Sequence, residues 1–235
     1  MSVNQFSRTE MLLGKGFTDK VSEKKVILFG LGGVGSYAAE ALARAGIGSI
    51  TLVDSDRVSL TNLNRQLCAL HSTVGRYKTE VVAERILDIN PACRVECINE
   101  FYLPENSDSF GLEKYDFILD AVDTVSAKIN LAVKGEEKGV PVISCMGTGN
   151  KLDPTLFRVS DIYETTFCPL CRVMRNELKK RGVSKLRVVW SPEEPMKPGE
   201  PEEETNKRSL PGSAPFVPGA AGLIMAGEVI KYFRG

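Results

Sequence analysis

The stretch KVILFGLGGVGSYAAEALARAGIGSITLVD, residues 25–54, joins two short apolar runs through a glycine-rich turn and an alanine-rich segment. The apolar runs Lys25–Phe29 and Ser49–Val53 predict two β-strands, and Val34–Ala45 predicts the helix between them. A strand, a turn, a helix and a second strand within about thirty residues have the size of a βαβ unit. This pattern predicts two parallel strands in one sheet.

Strands and helices continue to alternate after this unit. The predicted elements that follow are the helices Lys78–Ile89 and Ser126–Lys138 and the strands Arg94–Ile98, Tyr115–Leu119 and Val140–Cys145. Such alternation is typical of a mostly parallel sheet with helices on both faces. We therefore expect an α/β protein with a Rossmann-like, doubly wound, mostly parallel sheet.

The last third of the chain is less regular. Its predicted elements are a strand at Thr155–Val159, a helix at Pro169–Arg181, a strand at Lys185–Trp190, a flexible loop at Ser191–Lys207 and an apolar helix at Pro218–Phe233. The loop is predicted from its four prolines and six glutamates. We expect residues 1–150 to form a core with an N-terminal arm, and residues 151–235 to form an irregular C-terminal extension of the same compact domain.

Composition excludes several classes of protein. The 235 residues include 30 Lys and Arg against 30 Asp and Glu, which excludes a histone-like protein or an acidic tail protein. A zero sum does not exclude a nucleic-acid ligand, because it does not say where the charges lie. Six cysteines are too few for a disulfide scaffold of this size. With no signal-peptide pattern and no uninterrupted apolar span, we expect a cytoplasmic protein with no membrane partner.

The glycine-rich turn matches the pattern G-x-G-x-x-G through Gly30, Gly32, Gly33 and Gly35. Glycines at these positions allow a tight turn and a close approach of the backbone to a phosphate at the helix N-terminus. Asp54 follows 19 residues after Gly35, at the end of the second strand, where an acidic residue typically binds a ribose hydroxyl. Taken alone, this pattern favours NAD.

Further polar residues follow the predicted strands and change that interpretation. They are Asp56, Asn62, Asn64, Arg65, Gln66, Lys78, Asp120 and Asp123. The carboxyl ends of strands in a doubly wound sheet share one edge, where ligands bind. Hydride transfer does not require cations and a spare carboxylate around the phosphates. A site that cleaves a triphosphate does, because cations stabilise the transferring phosphoryl group and a carboxylate holds Mg²⁺.

Three segments carry a family resemblance: GLGGVGSYAAEALARAGIGSITLVDSDRVSLTNLNRQ at 30–66, VGRYKTE at 74–80 and LDAVDT at 119–124. They closely resemble the ubiquitin-activating-enzyme-like (ThiF/MoeB-type) adenylyltransferases, and the resemblance extends over roughly residues 5–147. It implies that residues 1–150 are an ATP-binding adenylation core. Enzymes of this superfamily use ATP to convert a carboxylate into an acyl-adenylate and release pyrophosphate.

The resemblance also implies roles for individual residues. It assigns Gly33 to the nucleotide, Asp54 to the ribose, Asn62, Asn64 and Arg65 to the triphosphate pocket, Lys78 to the phosphates and Asp123 to Mg²⁺. The cofactor-binding set further includes Gly30, Gly32, Gly35, Asp56 and Gln66. Arg8 matches an N-terminal arginine that reaches across a homodimer into the partner's ATP site. The implied catalytic residues are Arg8, Arg65, Lys78 and Asp123.

The cysteines do not match the two zinc-binding C-x-x-C pairs that sulfur-carrier activators of this superfamily usually contain. This chain has one such pair, Cys168 and Cys171. Cys93 and Cys97 lie on a predicted strand, roughly 13 Å apart end to end, which is too far to share one ion without a bend. Because tetrahedral zinc needs four ligands, we expect ordinary thiols rather than zinc. No cysteine follows Cys171, so the loop after Trp190 offers no thioester nucleophile.

The last third resembles one branch of the superfamily, the tRNA threonylcarbamoyladenosine dehydratases. The matching segments are GTGNKLDPT at 147–155, VSDI at 159–162, CPLCRVMRNELKKRG at 168–182 and PGSAPFVP at 211–218. Cys171 departs from the small residue, such as alanine, that we expect in this branch. The implied substrate is tRNA carrying threonylcarbamoyladenosine next to the anticodon, dehydrated with ATP and Mg²⁺ through an acyl-adenylate of the threonyl carboxylate.

Two alternatives remain at this point. One is adenylation of the C-terminal glycine of a ubiquitin-like sulfur carrier, and the other is an NAD-binding oxidoreductase or a non-catalytic nucleotide-binding module. A sulfur-transfer protein is a further partner that the resemblance leaves open.

Charge is segregated in the last third. Between Cys168 and Trp190, seven basic residues face Glu177 alone: Arg172, Arg175, Lys179, Lys180, Arg181, Lys185 and Arg187. Helical spacing predicts that Arg172, Arg175 and Lys179 share one side, opposite an apolar side that includes Val173. A solvated helix face is the ordinary interpretation. Beside an adenylation site, Arg172, Arg175, Lys179, Lys180 and Arg181 become candidates for contact with RNA phosphates.

Overall fold

A computed structural model describes residues 3–199 and 211–235, which contain one seven-stranded sheet in the order β3-β2-β1-β4-β5-β7-β6. The strands are β1 Lys25–Phe29, β2 Ser49–Val53, β3 Arg94–Ile98, β4 Phe117–Asp120, β5 Val142–Cys145, β6 Arg158–Asp161 and β7 Arg187–Trp190. All neighbouring strands pair in parallel except β6 and β7. The predicted α/β class with a doubly wound, mostly parallel sheet is confirmed.

Seven α-helices accompany the sheet in the described residues. They are α1 Ser7–Leu13, α2 Phe17–Ser22, α3 Gly35–Arg44, α4 Lys78–Ile89, α5 Val125–Lys138, α6 Pro169–Lys180 and α7 Phe216–Arg234. The helices predicted from the sequence start and end within two residues of these bounds. Short 3₁₀ segments lie in the connections, among them Leu60–Asn62, His71–Thr73 and Pro104–Phe110.

The predicted strand Thr155–Val159 was wrong in its first half. Residues Pro154–Leu156 form a 3₁₀ turn, and β6 begins only at Arg158. The physical reason is local, since Pro154 lacks a backbone N–H for a strand ladder and the Asp153 carboxylate accepts the N–H of Thr155 at 2.8 Å.

Successive side chains of β1 point to opposite faces of the sheet, and both faces are buried. Val26 and Leu28 join a core that includes apolar residues of α3, α4 and α7. Ile27 and Phe29 join a second core with α5 and the segment 102–112. Helix α6 packs against α5 in a third cluster around Met174. Burial on both faces explains why β1 reads as an uninterrupted apolar run.

The last third of the chain completes the same sheet. Strand β7 pairs in parallel with β5, and β6 returns antiparallel at the edge. Helix α7 then crosses back and packs on α3 beside the first strands. The predicted division of the chain at residue 150 stays a prediction.

Helix α7 is the one helix in the described part of the chain that is long and apolar enough to cross a membrane, by length and composition only. More than half of its most apolar stretch is buried, and Met225 and Val229 are fully buried with α3. The core helix of a globular fold has the same length and composition.

Residues 191–199 have no regular secondary structure, and the remainder of the predicted flexible loop, 200–207, lies outside the described residues. The start of this segment is well anchored. The Glu193 carboxylate accepts the N–H groups of Leu152 at 2.7 Å and Asp153 at 3.2 Å. These bonds attach the chain after β7 to the chain after β5.

Candidate active site

The glycine-rich turn connects β1 to α3, and two of its glycines are required by the turn itself. Gly30 has φ +85°, and a Cβ there would lie 2.7 Å from the carbonyl oxygen of Ala121. A Cβ on Gly35 would lie 1.8 Å from the carbonyl oxygen of Gly30. These residues therefore permit close packing of the turn on β4 and α3.

Of the other two glycines, Gly32 faces open space, whereas Gly33 packs closely against α7 and Arg65. A Cβ on Gly32 would meet only the Gln66 side-chain nitrogen, at 3.8 Å. A Cβ on Gly33 would lie 3.0 Å from Pro218 and 3.3 Å from the carbonyl oxygen of Arg65. Helix α3 begins directly behind this turn at Gly35, so its first N–H groups and the positive end of its dipole lie here. The turn has the geometry of an anion-binding site.

Asp54 follows β2 at the same edge of the sheet. Its carboxylate accepts the N–H of Leu31 at 2.6 Å and the N–H of Asp56 at 2.8 Å. Burial raises the pKa of Asp54, while the charge of Lys78 and the two N–H groups oppose that rise. The carboxylate thus connects the glycine-rich turn to the segment after β2, at the position where a ribose hydroxyl was predicted to bind.

Lys78 is the first residue of α4, and only 4% of it is exposed. Its ammonium lies 2.7 Å from the Asp56 carboxylate and 3.9 Å from that of Asp54. The structure therefore brings together three of the residues predicted to bind the cofactor. A lysine held at a helix N-terminus beside an anion-binding turn is suited to contact phosphate.

The segment that follows Asp56 also lies against the turn, because the carbonyl oxygen of Arg65 is 3.3 Å from the place of a Cβ on Gly33. Arg65 donates to the Asn64 side chain at 2.8 Å and to the carbonyl oxygen of Thr61 at 3.0 Å. Asn64 in turn donates to the carbonyl oxygen of Ser213 at 2.9 Å. Asn62 accepts the N–H of Ser59 at 3.1 Å. Their side chains thus have protein partners in this structure.

Asp123 lies exposed in the turn between β4 and α5. This turn also contains Ala121, which the Gly30 backbone approaches closely. Thr124 donates its hydroxyl to the Asp123 carboxylate at 3.5 Å. The carboxylate therefore stands at the same sheet edge as the glycine-rich turn. A single carboxylate beside a phosphate site is compatible with Mg²⁺, which usually takes one or two protein carboxylates together with substrate phosphates.

Asp120, one of the polar residues that follow the predicted strands, is the last residue of β4 and does not reach the surface. Asp120 is fully buried, and its carboxylate accepts from the equally buried Lys128 ammonium at 3.0 Å and from the Ser144 hydroxyl at 2.5 Å. Lys128 also donates to the carbonyl oxygen of Val122 at 3.2 Å. A buried ion pair thus fixes the turn before Asp123. The one available signal was the apolar run YDFIL ahead of Asp120.

Arg8 lies on the exposed side of α1, next to Met11 and Leu12, which are 86% and 79% exposed. The structure contains one chain, so the predicted reach of Arg8 across a dimer stays a prediction.

Fewer basic side chains of α6 share one exposed face than the helical spacing predicts. Arg172 and Lys179 are exposed, but Arg175 is half-buried and donates to the carbonyl oxygen of Thr165 at 2.8 Å. Val173, predicted on the apolar side, is 45% exposed. Lys180 and Arg181 both bond the Glu177 carboxylate, the nearer contact at 2.5 Å.

The structure places no group of three or more His, Cys, Asp or Glu side chains where they would hold a metal, within 3–199 and 211–235. Cys168 and Cys171 are buried as free thiols, as is Cys93, while Cys97 is exposed. The expectation about zinc stays a prediction.

Comparison with known proteins finds relatives along almost the whole chain. The model of the ThiF family matches residues 6–235. The tRNA threonylcarbamoyladenosine dehydratase of Bacillus subtilis (strain 168) is 43% identical over 238 residues, which cover 97% of this chain and 94% of that protein. The tRNA threonylcarbamoyladenosine dehydratase of Escherichia coli (strain K12) is 41% identical over 175 residues, covering 74% of this chain and 65% of that protein.

Solved structures agree with the sequence relatives. The E. coli tRNA N6-threonylcarbamoyladenosine dehydratase in complex with ATP has a TM-score of 0.88 to this structure at 35% identity, covering 97% of this chain and 93% of that one. Similarity of that extent covers the sheet, the glycine-rich turn and the C-terminal helices together.

Proposed function

The chain belongs to the ThiF family, and we propose that it is an ATP-dependent dehydratase of threonylcarbamoyladenosine in tRNA. The observation that carries this proposal is the 43% identity to a dehydratase across 97% of the chain. A similar structure is in complex with ATP, and the open space at Gly32 supports a phosphate position at the glycine-rich turn. The alternatives of sulfur-carrier activation and NAD-dependent oxidoreduction have no comparable support.

The reaction has two steps. A threonyl carboxylate oxygen attacks the α-phosphorus of ATP, pyrophosphate leaves, and an acyl-adenylate forms. The neighbouring carbamoyl group then attacks the activated carbonyl carbon and closes a ring, and AMP leaves with the oxygen that is lost as water overall. The nucleophile is tethered to the electrophile, so its effective concentration is high and no enzyme thiol is required.

The residues of the proposed site bind the nucleotide and stabilise the negative charge on its phosphates. Lys78 and the N-terminus of α3 stabilise the negative charge that builds on the phosphates, with Arg65 as a further cation once its present bonds are exchanged. Asp54 orients the ribose. These roles make Lys78 and Arg65 catalytic residues of the proposed site, and Asn62, Asn64, Asp56 and Gln66 its lining.

Asp123 is the residue proposed to hold Mg²⁺ with the phosphates. When bound, the ion neutralises phosphate charge and orients the leaving group. The buried pair of Asp120 and Lys128 contributes by holding the turn on which Asp123 stands.

The proposal further includes a cytoplasmic homodimer in which Arg8 enters the partner's site. The exposed apolar residues of α1 beside Arg8 support a covered α1. Arg172 and Lys179, with Lys180 and Arg181, are proposed to contact RNA phosphates. Arg175 is proposed to position the start of α6 instead, because it bonds Thr165. Docking of a sulfur-transfer protein is not part of the proposal.

The test is incubation of the protein with Mg-ATP and tRNA that carries threonylcarbamoyladenosine. Mass spectrometry of the modified nucleoside should show loss of one water, with AMP formed in equal amount. Unchanged nucleoside, with AMP formed only after a ubiquitin-like protein is added, would favour the sulfur-carrier alternative. Tight NADH binding without ATP cleavage under either condition would favour the oxidoreductase alternative.

A further inference from the structure

One asparagine joins three chain segments that are far apart in the sequence. Asn150 follows β5 at the carboxyl edge of the parallel strands, the edge at which the glycine-rich turn follows β1. Its N–H donates to the carbonyl oxygen of Gly212 at 2.8 Å, and its side-chain oxygen accepts the N–H of Gly212 at 2.7 Å. Its carbonyl oxygen accepts the N–H of Met196 at 2.7 Å. Asn150 thus holds the segment before α7 with two hydrogen bonds and the segment after β7 with a third.

The backbone of Asn150 has the conformation that this contact needs. Its φ is +59°, in the left-handed region, which asparagine enters more readily than most residues with a Cβ. A Cβ on the preceding Gly149 would lie 2.7 Å from the Cβ of Pro211. The two segments are therefore packed directly on each other, and the Asn150 side chain fixes their register.

The segment that Asn150 holds also bonds the proposed triphosphate pocket. The carbonyl oxygen of Ser213, the residue after Gly212, accepts the side-chain NH₂ group of Asn64 at 2.9 Å. The Arg65 guanidinium donates to the side-chain oxygen of Asn64 at 2.8 Å. A carbonyl oxygen only accepts and a guanidinium only donates, so these two partners fix the orientation of the Asn64 amide.

We propose that Asn150 is a positioning residue for Asn64 and Arg65 in the ATP site. It fixes the Ser213 carbonyl, which orients the Asn64 amide, and the amide oxygen keeps the Arg65 guanidinium at the pocket before ATP binds. The inference rests on the proposed function for the role of the pocket, and it assigns Asn150 no contact with ATP or tRNA. Its loss should therefore weaken ATP binding through the order of the two pocket side chains.

Two substitutions separate the side chain of Asn150 from its backbone. Asn150→Gly keeps the left-handed conformation and loses the acceptor, whereas Asn150→Asp keeps both. The dissociation constant for ATP should rise roughly three- to tenfold in Asn150→Gly, a range that corresponds to the loss of one hydrogen bond. In Asn150→Asp it should stay within about twofold of the unaltered value. Calorimetric titration with Mg-ATP measures the constants, and thermal unfolding checks that each variant is folded.

A double-mutant cycle tests whether Asn150 acts through Asn64. Asn64→Ala removes the link to Arg65, so adding Asn150→Gly to it should weaken ATP binding by no more than about twofold further. Independent effects would multiply instead. Asn106 supplies the matched control, because its side-chain oxygen also accepts a backbone N–H, that of Leu103 at 2.8 Å. Asn106→Gly should leave the dissociation constant for ATP unchanged.

The KM for modified tRNA gives a second measurement, because a positioning residue of the ATP site should leave it unchanged in Asn150→Gly. The proposal is overturned if Asn150→Gly binds ATP as tightly as the unaltered protein, if Asn150→Asp loses as much affinity as Asn150→Gly, or if the effects of the cycle multiply. Unaltered protein that binds ATP without dehydrating tRNA would overturn the proposed function alone. Unaltered protein that does not bind ATP would overturn both.

Discussion

The ammonium of Lys78 lies 2.7 Å from the Asp56 carboxylate, and the lysine is buried while the side chain of Asp56 is 65% exposed. The lysine is therefore fixed in place by packing, and its partner can turn away into solvent. A triphosphate entering beside the glycine-rich turn would compete with Asp56 for this ammonium. The position of the Lys78 ammonium is therefore already fixed before an anion binds.

Replacing Lys78 by Met should lower kcat/KM for tRNA dehydration by about a hundredfold or more, because a fixed cation at the reacting phosphates is lost. AMP release with modified tRNA measures the effect, and thermal unfolding checks that the variant is folded. Lys138→Met, which changes a half-exposed lysine paired with Glu113, is the matched control. An unaltered rate in folded Lys78→Met would refute the proposed pocket.

Two glycines of the same turn should respond differently to alanine. Gly35→Ala puts a Cβ where the Gly30 carbonyl oxygen lies, so we expect loss of the folded turn and a strongly lowered Tm. Gly32→Ala meets only a side-chain nitrogen at 3.8 Å, so its free energy of unfolding should change by no more than about 0.5 kcal/mol. Its KM for ATP should nevertheless rise, because the methyl group occupies the space proposed for phosphate. Equal ATP affinity for Gly32→Ala and the unaltered protein would place the phosphates elsewhere.

Much of the fold could be predicted from the sequence because its signals are local. Strands β1 and β2 are apolar runs bounded by Gly30 and Asp54. The glycine spacing between them is typical of a tight turn from a strand into a helix. The site was harder to predict in detail. Asp120, Lys128 and Ser144 come from three different elements, and only the packing of α5 on the sheet brings them together. Similarly, the spacing of α6 did not reveal that Arg175 turns towards Thr165.

The buried ion pair below the Asp123 turn gives a test of that packing. Lys128→Met leaves the Asp120 carboxylate buried without its cation, so the free energy of unfolding should fall by about 3–5 kcal/mol. Adding Asp120→Asn to Lys128→Met should recover part of this loss, because no uncompensated charge remains. Urea unfolding measures the unfolding free energies of both variants. The slope of free energy against urea concentration should be the same in both. A double variant less stable than Lys128→Met would mean that the pair is not coupled.

Asp123→Asn should reduce the Mg²⁺-dependent rate by about a hundredfold while leaving the unfolding free energy nearly unchanged, because the residue is exposed. The measurement is AMP formation across a Mg²⁺ titration. Asp108→Asn, a change in an exposed aspartate that pairs with Lys134, is the control and should leave the titration curve where it is. A normal titration curve for Asp123→Asn would remove this residue from the metal site.

Replacing the exposed basic residues of α6 should affect tRNA binding, whereas replacing the half-buried Arg175 should affect stability. Replacing Arg172 and Lys179 by Gln should weaken tRNA binding and reduce the slope of log K against log salt by roughly 1.5, if each contacts one phosphate. Arg175→Gln should instead lower Tm, because its bond to the Thr165 carbonyl is lost. Filter binding at several salt concentrations distinguishes them. An unchanged slope for the first pair would mean that this face is only solvated.

The packing of α7 on α3 has a consequence for synthesis on the ribosome. Arg44, the end of α3, precedes Phe216, the start of α7, by about 170 residues, a stretch that takes roughly 10–35 s to translate. During that interval, apolar side chains of α3 such as Ala38 and Leu42 have no α7 to cover them. The nascent chain therefore exposes an apolar surface on α3 to which a chaperone can bind. This surface is covered only when α7 docks.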